Sequence, residues 1–228
     1  MRRALRALST VLIAGGILLL ADAGLTLVWH EPVSALYARV QQHDLKGQLV
    51  EIERTGPTRS EKRALKRLKS SLRRMAFLAR SLRRRTGDGD PIGRIKIPKI
   101  GANFVVVEGT RTPDLRRGPG RYADTSLPGL RGTVGIAGHR TTYLAPFRDV
   151  DRLVRGSSIV LEMPYGRFTY RVFSKRIVDP GDVAVIDPVR RQRRLVLTAC
   201  HPLYSAAKRM VIFSELVRSE PRGAALRA

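Results

Sequence analysis

The segment Thr86-Gly87-Asp88-Gly89-Asp90-Pro91 divides the chain into two kinds of sequence. Gly, Asp and Pro at this density stop a helix and begin a turn. Beyond it the apolar residues come in short, mostly β-branched bursts at 92–100, 104–107, 132–137, 158–163, 167–178, 183–186, 195–198 and 210–217. Most are bounded by Gly, Pro or Asp, which reads as strands separated by turns. Only short helices fit between them, at 112–117 and 145–153. About eight strands within residues 91–217 predict a closed barrel or a sandwich. Strand patterning does not choose between the two.

Before the break the chain reads differently. Residues 11–29, VLIAGGILLLADAGLTLVW, carry one charge, Asp22. A membrane-spanning helix needs about 20 apolar residues. Arg2, Arg3 and Arg6 precede the run, which by the positive-inside rule leaves 1–10 in the cytoplasm. Trp29 suits the far interface, and Met1 gives the expectation of a full precursor. The competing reading is a cleaved signal peptide, with Ala21-Asp22-Ala23 as its small-x-small site. Either way the rest of the chain is exported. The expectation is a single-pass anchor at 11–29, a linker at 30–90, an extracytoplasmic domain at 91–218 and a polar tail at 219–228.

The net charge is 43 − 19 = +24. Residues 59–85 hold twelve basic residues against Glu61 alone, so nearly half the excess lies in this run. Within it Leu65, Leu68, Leu72, Met75, Ala79 and Leu82 recur at three- and four-residue steps, which predicts one amphipathic helix over 60–85. It reads equally as a solvated spacer or as a surface for anionic lipid. Nucleic acid fits the charge but not the export, and is not expected as a partner. A hydrophobic fraction of 43% excludes a wholly disordered basic protein.

Cys200 is the chain's one cysteine, so no intramolecular disulfide and no Cys-rich metal site can form. His30, His43, His139 and His201 show no ligand spacing, and neither metal nor cofactor is expected. Cys200 ends the run LVLTA; His139 ends another, in AGHR, where Gly138 allows close backbone approach. A lone Cys is usually a small buried hydrophobe. A Cys and a His at two strand ends are nevertheless what a cysteine transpeptidase or protease needs. His201 is the nearer base, but adjacent strand residues point to opposite faces. Arg209 opens the last burst; facing Cys200, it would supply a fixed positive donor to a developing oxyanion.

His139 in AGHRTTYLAPF, Cys200 in LTACHPLYSA and Arg209 in KRMVIF, in that order and spacing, resemble the sortases over residues 91–217. The GPGRY, HRTTY and CHP segments resemble class E, the housekeeping-type sortases of actinobacteria. The resemblance implies an all-β fold: a closed eight-stranded sortase-type barrel with short helices behind a signal-anchor. It implies a two-step transpeptidation. Cys200 attacks the Thr–Gly carbonyl of a C-terminal sorting signal, a thioester forms, and an amine of a cell-wall precursor resolves it. His139 carries the proton and Arg209 holds the oxyanion. Class E implies a Leu-Ala-x-Thr-Gly signal rather than Leu-Pro-x-Thr-Gly, with Tyr122 linked to that preference. Thr141 and Tyr143, beside His139, and Thr198 and Ala199, before the nucleophile, are the further candidates for the substrate groove.

The chain departs from the family's Thr-Leu-x-Thr-Cys in two places: Val196 and Ala199 stand where threonines are usual. The tail from Arg218 is polar, and Asp90-Pro91 is followed by Ile92 rather than an aromatic residue, so the features of a pilus-polymerising sortase are missing. The rival enzymatic readings are another wall-facing cysteine peptidase or an L,D-transpeptidase. The latter typically carries a Ser-x-Gly-Cys segment where this chain has Thr198-Ala199-Cys200. The non-enzymatic rival is a membrane-anchored binder of anionic wall polymer.

Overall fold

The computed structural model describes residues 2–29, 32–189 and 192–227. Four helices lead into the barrel: α1 (Arg2–Trp29), α2 (Pro32–Thr55), α3 (Arg59–Lys66) and α4 (Ser71–Arg85). Then come β1 (Pro91–Ile97), β2 (Ala102–Glu108), α5 (Thr112–Arg117), β3 (Gly120–Arg121), β4 (Gly132–Ala137), β5 (Ser158–Met163), β6 (Gly166–Val178), β7 (Arg193–His201), β8 (Lys208–Pro221) and α6 (Ala224–Arg227). The strands close in the order β1-β2-β3-β4-β7-β8-β6-β5. Neighbours are antiparallel except β2–β3 and β4–β7, which are parallel.

Of the two architectures that the strand pattern left open, the barrel forms. The eight strands are not the eight expected ones, however. Residues 183–186 make a 3-10 turn, and the two-residue β3 takes the place of that strand in the count. The physical reason is closure. A closed barrel leaves no strand edge for a ninth segment, so Val185 and Ile186 pack instead over Val196 and Phe213 on the barrel's outer surface. Residues 145–153 likewise give turns and a 3-10 segment at Val150–Arg152, with no α-helix.

Alternation along the strands sorts the two faces. Leu195, Leu197 and Ala199 of β7 point inward with Met210 and Ile212 of β8 and Val134 and Ile136 of β4. Val196 points outward with Val211 and Phe213.

The segment expected to be a linker is packed structure. Residues 60–85 form two helices, α3 and α4, broken at 67–70. Met75, Leu78, Ala79 and Leu82 of α4 and Leu65 of α3 are buried in the barrel's own core cluster. Most of the apolar stripe therefore packs on the barrel instead of facing outward, with Leu72 the one of its six residues left exposed. Gly166 marks the approach: a Cβ there would stand 2.8 Å from the Met75 sulfur. α2 covers the outer surface of β2, where Leu45 and Leu49 cluster with Val105 and Val107. Gln42 is buried among them. Its amide oxygen accepts from Val105 N–H (2.8 Å), and its nitrogen donates to Val105 O (3.1 Å) and Arg117 O (2.8 Å). The polar tail is also structural in part, with β8 reaching Pro221 and Ala225 of α6 buried in the core.

α1 is a 28-residue helix with Leu12, Ile13, Ile17, Leu18, Leu19 and Leu20 exposed. Among the described residues no helix is long and apolar enough to cross a membrane. The side chains of Asp22 and Trp29, on which the anchor expectation partly rests, lie outside the described ones.

Candidate active site

β4 and β7 run parallel in the register Val134↔Leu195, Ile136↔Leu197 and Ala137↔Thr198. The pairing continues one step, since Gly138 N–H donates to Thr198 O at 3.1 Å. His139 lies two residues beyond Ala137, and Cys200 two beyond Thr198. The two therefore reach the same end of adjacent strands. On the other side of β7, the antiparallel register pairs Cys200 directly with Arg209 of β8. Directly opposed residues project to one face with Cβ atoms about 5 Å apart. By alternation that face is the outer one, continuing from Val196 and Thr198. Cys200, His139 and Arg209 are each half-buried.

Local chemistry holds each of the three. A Cβ at Gly138 would overlap the Phe147 ring at 2.6 Å, so glycine is what lets the fully buried Phe147 press under the backbone before His139. Phe147 N–H returns to His139 O at 3.0 Å. Arg209 Nη1 donates to Ala206 O (2.9 Å) and Lys208 O (3.1 Å), which fixes the guanidinium at the mouth of the β7–β8 turn.

Arg140 was not singled out in the sequence, although it follows His139. It is 3% exposed and ties the histidine loop to the cysteine strand. Its Nε donates to Arg148 O (3.1 Å), Nη1 donates to Cys200 O (3.3 Å) and meets His201 Nδ1 (3.4 Å), and Nη2 pairs with Asp151 (2.9 Å). His201 is thus engaged with Arg140 and sits on the strand face opposite Cys200.

The further candidates separate. The Tyr122 hydroxyl lies 2.8 Å from Thr198 Oγ1, so these two share the outer face with Cys200. Gly135 beneath admits the Tyr122 ring, which a Cβ would meet at 2.9 Å. The turn carrying Tyr122 is pinned by buried Arg121, which pairs with Glu108 and donates to Tyr122 O and Thr125 O. Tyr143 stacks beside the catalytic candidate, its ring centroid 5.3 Å from that of His139. Thr141 opens the same turn, half-buried. Ala199 corrects the expectation. It is 4% exposed and belongs to the interior cluster, so it does not border the groove. A hydroxyl there would enter the core rather than approach the thiol. Among the described residues no group of three His, Cys, Asp or Glu could hold a metal ion.

A cysteine, a histidine and an arginine at neighbouring strand ends of a closed barrel are the groups that thiol-dependent acyl transfer requires. The sortase domain model matches residues 95–217, and the chain belongs to the sortase family, whose members are cysteine transpeptidases. It is 36% identical over 132 residues to sortase D of Bacillus subtilis, covering 57% of this chain and 65% of that protein. The chain thus spans just under two thirds of that relative's length. The structure of sortase E from Streptomyces avermitilis is 36% identical, with TM-score 0.55, over 59% of this chain and 93% of that one. A Clostridium perfringens sortase D5 transpeptidase shares the fold over 78% of this chain and 99% of its own, at TM-score 0.62 and 22% identity.

Proposed function

We propose that this chain is a class E, membrane-anchored sortase that cleaves a C-terminal Leu-Ala-x-Thr-Gly or Leu-Pro-x-Thr-Gly-like signal between Thr and Gly. It then joins the protein to a cell-wall amine. The observation that carries the reading is the strand register that sets His139, Cys200 and Arg209 at one end of the barrel's outer face.

In the first step the Cys200 sulfur attacks the Thr carbonyl carbon. The C–S bond forms, and the thiol proton passes to His139. Arg209 donates to the oxygen as negative charge develops on it. The tetrahedral species collapses, the C–N bond breaks, and His139 gives its proton to the leaving Gly amine. In the second step an acceptor amine attacks the thioester and loses its proton to His139. The new C–N bond forms, and Cys200 leaves with the proton. Tyr122, half-buried and held by its hydroxyl on the buried Thr198, borders the groove on the nucleophile's side and is the proposed reader of the Ala or Pro position.

The 36% identity to a sortase E structure and the GPGRY segment support the class. The apolar sequence run at 11–29 and the arginines ahead of it, rather than the length of any described helix, support single-pass attachment with the barrel outside the cytoplasm. The test incubates the full chain in mild detergent with paired Ala- and Pro-containing sorting peptides and an amine. Ligated product, with the Ala peptide preferred, is the expected result. Hydrolysis or ligation of neither peptide refutes the reading.

A further inference from the structure

The turn that follows His139 is strained and is held from outside the barrel. Tyr143 (φ 50°), Leu144 (φ 64°) and Ala145 (φ 42°) are three consecutive non-glycine residues in the left-handed region. Such residues are costly and persist only where their surroundings over-determine them. Much of what surrounds Tyr143 comes from α2. Ser34 Oγ accepts the Tyr143 N–H at 3.3 Å. The Tyr37 ring meets the Tyr143 ring edge-on, centroids 6.3 Å apart. Arg116 of α5 lies over the same ring at 5.8 Å. Ser34 and Tyr37 are three residues apart on one helix, hence on one face. That helix is fixed to the barrel by Leu45, Leu49 and the three hydrogen bonds of Gln42.

We infer that Tyr37 is a positioning residue for His139, acting through Tyr143, so that the catalytic histidine is aligned by a helix outside the barrel. The inference rests on the transpeptidase reading above. The chain of contact is short: Tyr37 on Tyr143, and Tyr143 on the imidazole at 5.3 Å. Tyr37 itself is 45% exposed, so its removal uncovers little apolar surface and tests alignment rather than folding. What α2 adds is rigidity in a loop that must hold an imidazole in place through two opposite proton transfers.

The experiment compares Tyr37→Ala and Tyr37→Phe with the unaltered full chain, using a sorting peptide and an amine. The histidine ring resonances are recorded in parallel, with His139 assigned by its loss in His139→Gln. A small misplacement of a catalytic group is expensive, so Tyr37→Ala should lower kcat by roughly 10-fold with KM for the peptide nearly unchanged. The His139 signals should shift or broaden. Tyr37→Phe keeps the ring contact and should restore both. Tyr37→Ala combined with Tyr143→Ala should cost little more than Tyr143→Ala alone, because the two act through one contact. A Tyr37→Ala protein with unchanged kcat and unmoved His139 signals overturns the inference while leaving the transpeptidase reading intact. An unaltered chain that neither cleaves nor ligates refutes that reading instead, and takes the inference with it.

Discussion

Arg140 offers a perturbation whose size can be worked from its contacts. Replacing it with Met keeps most of the side-chain length and removes every donor. Arg148 O loses a bond of 3.1 Å and Cys200 O one of 3.3 Å, both from a charged donor. Hydrogen bonds to charged groups contribute about 1.5–3 kcal/mol each, and the longer of the two belongs at the low end. The Asp151 pair adds less, about 0.5–1 kcal/mol, because Asp151 is half-exposed and water replaces its partner. Against these losses, the variant no longer buries a guanidinium, a cost that a buried ion always carries. The net expectation is a destabilisation of about 2–3 kcal/mol, which at a typical urea slope near 2 kcal/mol per M lowers the midpoint by about 1–1.5 M.

Activity should fall with it under conditions where the variant is still fully folded, because the His139 loop and the Cys200 strand lose their direct tie. Arg140→Lys should recover the Asp151 contact but not the span between Arg148 O and Cys200 O, since a point ammonium lacks the planar fork. Equilibrium urea denaturation and ligation kinetics on the same samples decide the matter. A midpoint within experimental error of the unaltered chain, together with full kcat, would refute the claim that Arg140 joins the two halves of the site.

The remaining expectations are briefer. Cys200→Ala should abolish cleavage and ligation, and His139→Ala should lose about 10²–10⁴-fold in ligation rate, the usual contribution of a general acid–base. Arg209→Ala should lose about 10²–10³-fold, with poor rescue by Lys. His201→Ala should be much milder in rate than His139→Ala; the reverse order would reassign the base. Ala199→Thr, which restores the residue usual in the family, should leave substrate preference unchanged and destabilise by about 1–3 kcal/mol through overpacking. A changed Ala/Pro preference there would place residue 199 in the groove after all. Burial alone would raise the Glu162 carboxyl, but Lys96 (2.9 Å), Arg222 (3.9 Å) and Arg167 (3.8 Å) outweigh it and hold it below the ordinary range. A depressed folded value means the contribution is complete above the unfolded carboxylate value, about 4.3, and is lost as pH falls from there through the lower folded value. Glu162→Gln should therefore flatten the acid limb of stability, as followed by circular dichroism.

The sequence was legible where local chemistry decides and silent where closure or long-range packing decides. The runs at 132–137 and 158–163 coincide with β4 and β5 because a short apolar, partly β-branched run between Gly and Pro breakers suffices to define them. The Val183–Ile186 segment has the right residues for a strand, but the barrel has no edge for it. Two-residue β3 carries no periodicity at all. α2 was hidden by Gln42, a polar residue inside the stripe Ala38–Leu45–Leu49, whose amide substitutes for a strand partner at Val105. Arg140 looked like one arginine among many; only its burial distinguishes it. Ala199 is next to Cys200 in sequence but not in space, because the two-residue period of the strand turns it into the core.

That period ties the core to the chemistry. Along β7, positions 195, 197 and 199 are interior, and 196, 198 and 200 are exterior. Cys200 faces outward because Leu197 and Ala199 face inward against Ile212 and Met210. A one-residue slip between β7 and β8 would turn those two leucine-row positions outward and place the thiol in the core. It would also part Cys200 from Arg209. The apolar pattern that fills the barrel thus specifies that Cys200, the proposed nucleophile, faces outward and that Arg209 opposes it. Parallel pairing with β4 adds the histidine by the same register, without any contact among the three side chains being needed to bring them together. The helices then complete what strand register cannot. Strands set the level of His139 but not the aim of its ring, since β4 ends at Ala137 and the histidine stands on a turn. Its orientation must come from groups around that turn: Arg140 and Phe147 from within the barrel, and Tyr143, backed by α2, from without.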